Sequence, residues 1–69
     1  MENLTKEQLF ILRDGLRLKL EELINLYNEN EELIEKKVSI DLIEQEEYLT
    51  EQIHITRCLI GDVEEILIN

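Results

Sequence analysis

Residues 9–20 read Leu9-Phe10-Ile11-Leu12-Arg13-Asp14-Gly15-Leu16-Arg17-Leu18-Lys19-Leu20 and admit two folds. As a β-hairpin, Asp14-Gly15 is the two-residue turn, and Leu16 to Leu20 alternates apolar and charged residues with period two. As a helix, the same stretch puts Leu9, Leu16 and Leu20 on one face. The surrounding residues decide between them. Residues 6–35 are rich in Leu, Glu, Lys, Arg and Gln and poor in β-branched residues, a helical preference. Residues 50–60 (TEQIHITRCLI) pose the same ambiguity with more β-branching, and an apolar stripe running through them again favours helix.

Working outward, Thr5 and Gln8 stand in the order of a capping box, with Leu4 and Leu9 placed as a hydrophobic staple, so a helix is expected from Lys6. Its stripe is Leu9, Leu16, Leu20, Leu23, Tyr27 and Ile34, and nothing but Gly15 interrupts it before about Lys36. A second start lies at Ser39, with Asp41 in the first turn and Val38 and Ile43 at staple positions. Its stripe is Leu42, Leu49, Ile53, Thr56, Ile60, Val63 and Leu67. An antiparallel hairpin turning at 37–39 must place side by side residues whose numbers add up to about 76. Leu9 then meets Leu67, Leu16 meets Ile60, Leu20 meets Thr56, Leu23 meets Ile53, Tyr27 meets Leu49 and Ile34 meets Leu42. Asn30 opposite Glu46 breaks the pattern, and that layer is expected to be wet or near the surface. The fold expected is all-α: one antiparallel, coiled-coil-like hairpin over 1–69, with helices at about 6–36 and 40–67.

The chain has 69 residues, 17 acidic against 7 basic, no proline, two glycines and one cysteine. A single small domain of this size is marginal unless stapled or oligomeric. Lone Cys58 rules out an internal disulfide and fits a reducing cytoplasm. Sandwiches and barrels need Gly/Pro turns every ~8–12 residues, which this composition lacks. Net charge −10 would favour disorder, but 43% hydrophobic residues supply ample surface to bury. No apolar run approaches the ~18 residues that cross a bilayer, and the N-terminal MENLTKEQ is polar and acidic, unlike a signal peptide.

Charge and apolar surface separate along such a hairpin. Residues 21–35 and 41–55 carry most of the negative charge, so the hinge half is strongly acidic and the half holding both termini is nearly neutral. The apolar excess lies at the other end. Leu9, Phe10, Ile11 and Leu12 point all around one helix, and Ile66 to Ile68 nearly do so on the other. Two helices cannot cover that surface, which leaves Phe10, Ile11, Leu18 and Cys58 facing water and implies a homo-oligomer, such as a four-helix bundle. The residues expected at its interface are Leu9, Phe10, Ile11, Leu12, Leu59, Val63, Ile66 and Leu67. The acidic surface consists of Glu31, Glu32, Glu35, Glu46 and Glu47.

Chemistry-bearing constellations are sparse. Glu51, His54, Cys58 and Asp62 share a helical face, and Glu51-x-x-His54 matches half of a di-iron motif. They lie across the helix from the seam, where nothing excludes water, so no metal site is expected in the hairpin itself, an ion shared between subunits being the alternative. No Gly-rich phosphate loop, Gly-x-Ser-x-Gly turn or Cys-x-x-Cys pair occurs. A two-helix unit should also lack room for a pocket of ~300 Å³ or more, so no enzyme, catalytic residue or cofactor is expected. The few scattered basic residues disfavour direct nucleic-acid binding, although Arg13 and Arg17 share a face suited to pairing with neighbouring Glu or with a partner's acidic surface. Repulsion disfavours an anionic membrane surface.

The residue usage, rich in Ile, Glu, Asn and Lys, is that of AT-rich bacterial or phage genomes. In a general way the chain resembles the small acidic helical hairpins found among phage and mobile-element proteins. Two functions follow as expectations. One is a self-associating, non-enzymatic protein-interaction or regulatory module with a protein partner. The other is an acidic inhibitor or DNA mimic whose hinge half occupies a basic groove of a nucleic-acid-binding protein.

Overall fold

In a computed structural model that describes residues 4–68, the chain forms two helices, α1 (Lys6–Lys36) and α2 (Ile40–Ile68), packed against each other as a hairpin. Met1–Asn3, which open the polar N-terminal stretch, and Asn69 lie outside the described residues. Residues 9–20 are helical throughout, with Asp14-Gly15 in mid-helix, and no strand occurs among the described residues. The helix at residues 50–60 is likewise continuous, and α2 runs one residue past its expected end.

The helix ends follow from local hydrogen bonding. The Thr5 side chain accepts from the Gln8 amide at 3.1 Å, and the Gln8 side chain accepts from the Thr5 amide at 2.9 Å. Two amides that the first turn would leave without partners are thereby satisfied. At the other end Lys37 is extended (φ −156°, ψ 109°), and its N–H still donates to the Leu33 carbonyl at 2.9 Å. Lys36 in the last turn faces the negative end of the helix dipole. Ser39 Oγ then accepts from the Leu42 amide at 3.2 Å and starts α2, with Asp41 in its first turn. The reversal uses no left-handed residue.

Packing follows a strict seven-residue repeat in both helices. On α1 the two seam rows are Leu9, Leu16, Leu23, Asn30 and Arg13, Leu20, Tyr27, Ile34. On α2 they are Leu42, Leu49, Thr56, Val63 and Glu46, Ile53, Ile60, Leu67. All sixteen are buried or half-buried. A seven-residue period stays on one face only if the helices wind slightly around each other, as in a coiled coil. The result is a rod of 47 × 15 × 14 Å, the length that 31 helical residues give at about 1.5 Å each. Cross-helix bonds from Tyr27 to Glu46 and Asn30 to Leu42 fall within about one helical turn of the register expected from the sequence, and the long Arg17 side chain reaches Glu64 about a turn and a half from it.

One expectation is corrected here. The Asn30 layer is not wet: Asn30 is 5% exposed, and its amide donates to the Leu42 carbonyl at 2.8 Å. Glu46 is only half-buried and turns toward Tyr27 instead. A short amide fits beside the first turn of α2, so burial leaves it satisfied. Buried Thr56 solves the same problem within its own helix, donating to the Gln52 carbonyl at 2.7 Å. Arg13, absent from the apolar stripe, also sits in the seam. Its guanidinium lies 5.0 Å above the Phe10 ring centroid, and its stem packs as an apolar side chain.

The core so formed is small. Among the described residues the buried hydrophobics are Leu9, Leu23, Leu49 and Val63, whereas fourteen large hydrophobics are exposed. Four buried side chains make a small core for a chain of this length, in the size range where independent stability is marginal.

Candidate functional site

The seam has two flanks, and their chemistry differs. Residues one place after the first seam row of each helix are Phe10, Arg17, Ile24 and Glu31 on α1, and Ile43, Thr50, Arg57 and Glu64 on α2. They border the same side, because Arg17 Nη2 lies 2.7 Å from Glu64 Oε1 across the helices. Half of these eight positions are charged. Residues three places after the same rows lie on the other side: Leu12, Lys19, Leu26 and Leu33 on α1, and Gln45, Gln52, Leu59 and Ile66 on α2. Only Lys19 is charged there, and exposed Ile55 widens this second flank on α2.

The structure divides the sequence-predicted interface residues into three groups. Leu9 and Val63 are buried inside the hairpin, so they are already covered. Leu12 and Leu67 are half-buried, and Phe10, Ile11, Leu59 and Ile66 are exposed. Ile11 (72% exposed) and Leu18 (65%) point away from α2 altogether, and Cys58 is exposed as well. Leu26, Leu33 and Ile55 also belong to the exposed apolar surface. Sequence reading missed them by looking for runs of apolar residues. For the two leucines a signal was present, the seven-residue spacing that runs through Leu12, Lys19, Leu26 and Leu33 beside the seam.

The acidic residues Glu31, Glu32, Glu35, Glu46 and Glu47 lie in the hinge half of the two helices. Glu32, Glu35 and Glu47 are exposed, while Glu31 and Glu46 are half-buried on opposite helices. Between them, the Tyr27 hydroxyl donates to Glu46 Oε1 at 3.2 Å. The two carboxylates, Glu31 foremost and then Glu46, favour the protonated phenol and push the Tyr27 pKa up to about 12. Glu46 is itself raised above the usual carboxylate range, chiefly because Glu31 faces it and then because it is partly desolvated. Folding therefore brings two like charges together, with one hydroxyl to mediate.

His54 Nε2 lies 3.7 Å from Cys58 Sγ one turn along α2. Among the described residues no three His, Cys, Asp or Glu side chains are grouped so as to hold a metal ion. The expectation that the unit has no room for a pocket is corrected: a broad, open groove of about 410 Å³ is lined by Ile24, Tyr27, Thr50, Ile53, His54 and Arg57. No described helix is long and apolar enough to cross a membrane. Comparison with protein families, curated proteins and solved structures finds no match to this chain.

Proposed function

We propose that the hairpin is a non-enzymatic protein-interaction module that self-associates in the cytoplasm and presents its remaining surface to a protein partner. One observation carries this reading: most of the large hydrophobic side chains lie outside a four-residue buried core. A chain so divided between core and surface gains by covering that surface with another chain. Its usage of residues fits a phage or mobile-element source, and the single exposed Cys58 fits a reducing compartment. Light scattering at micromolar concentration tests the self-association. A mass of at least twice 8.3 kDa supports it, and a monodisperse monomer that binds no hydrophobic dye overturns it.

The crowding of Glu31 against Glu46 favours a second reading, an acidic inhibitor or DNA mimic whose hinge half docks in a basic groove. Mutual repulsion retained in the fold is understandable if a cationic partner relieves it. Reversing charge at Glu31, Glu32, Glu35, Glu46 and Glu47 should then abolish binding to a basic nucleic-acid-binding protein, and moderate salt should weaken the native complex. Binding that ignores both changes removes this reading.

A further inference from the structure

We infer that a second copy of this chain packs on the flank formed by Leu12, Leu26, Leu33, Ile55, Leu59 and Ile66, with the two acidic hinges at opposite ends of a four-helix bundle. This rests on the self-association proposed above and adds the face and the direction.

Three observations converge on it. First, α1 carries two seam rows and a third, mostly apolar row on this flank (Leu12, Leu26 and Leu33), and α2 adds Leu59 and Ile66 in its terminal half; three apolar rows in seven are what a bundle helix needs, whereas a lone two-helix seam needs two. Second, the surface left over has the size of an interface. The chain exposes 5502 Å², while a compact monomer of 8.3 kDa exposes about 4,600 Å². The excess of about 900 Å² is close to the ~800 Å² each partner contributes to a standard interface. Third, the competing surfaces fit less well. The Arg17–Glu64 flank would require charged groups to be stripped of water, and the outward row of Ile11 and Leu18 runs into Asn25 and Glu32.

Direction follows from charge. Residues 21–55 carry a net charge of about −9 and the remainder about −1 by formal count at neutral pH. Hinge beside hinge would juxtapose two strongly acidic halves. Opposed hinges instead set each acidic half against a near-neutral one, and a twofold axis across the rod generates that arrangement.

The test uses the full chain with Cys58→Ser and a spin label at Val38→Cys, an exposed hinge position. Pulsed dipolar spectroscopy should give a label separation of about 40 Å or more, set by the 47 Å rod, and one below about 20 Å overturns the direction. The face is tested by L26E and I55E, each expected to weaken dimerisation at least about thirtyfold with helical circular dichroism retained. I11E and L18E, on the outward row, should leave it unchanged. A native chain that stays monomeric refutes self-association itself. A native dimer that survives L26E and I55E but is broken by I11E or L18E refutes only the face. If L26E and I55E unfold the chain, the conservative L26N and I55N variants replace them, and undiminished dimerisation by these folded variants also refutes the face.

Discussion

Asn30 shows how one polar side chain can fix an arrangement that apolar neighbours leave free. Leucines along the seam would accept several longitudinal offsets, whereas the Asn30 amide reaches the Leu42 carbonyl in one. Asn30→Leu should therefore stabilise the fold by about 1 kcal/mol while broadening its amide NMR spectrum as registers mix. A sharp single-register spectrum would show that Asn30 does not set the offset. Nearby, Glu46 supplies a pH dependence whose sign can be worked out. Its pKa is raised in the folded chain, so just above the usual carboxylate range the folded form binds more protons than the unfolded form. Stability should rise as pH falls from neutral toward about 4.5, the ordinary glutamate value, and Glu46→Gln should flatten that rise in denaturant titrations. Tyr27 is also raised, to about 12, so its contribution is lost as pH climbs from its usual 10.0 through that value.

At the scale of the helices, much was legible because hydrogen bonding at their ends is local. Thr5 with Gln8, and Ser39 with Leu42, are recognisable from residue type and spacing, and they form the bonds that spacing implies. Asp14-Gly15 was ambiguous for the opposite reason, since a turn-forming pair is tolerated inside a helix when the flanking stripe continues. What could not be read was which polar residues enter the seam. Asn30 depends on a carbonyl that the other helix brings near, whereas Arg13 enters along its own helix by lying over Phe10, and composition ranks both as exposed. Gly15 and Gly61 offer a direct check on the helical assignment. A Cβ at either meets nothing within 4 Å, so Gly15→Ala and Gly61→Ala should each stabilise by about 0.8–1 kcal/mol in thermal melts. Loss of stability on Gly15→Ala would mean that residue is not mid-helix. Thr5→Ala should act the other way, costing about 1 kcal/mol by removing half of the capping box.

For the whole molecule, the rod shape and the separation of charge from apolar surface belong together. A 47 Å hairpin only about 15 Å across cannot hide its large aliphatic content, and its acidic hinge limits how copies can approach. The sequence revealed the excess but misplaced part of it: Leu9 and Val63 were counted toward an interface although the seam already covers them. Only the fold separates what two helices bury from what they leave, because four apolar residues in a row point in every direction. The central claim is that this hairpin is half of a larger core, so folding and association are coupled. The most direct measurement is the thermal unfolding midpoint across a hundredfold range of protein concentration. Coupled dimer unfolding predicts a rise of about 9 °C, from about 2.7 kcal/mol of mass action spread over two chains. A midpoint that does not move with concentration would contradict it.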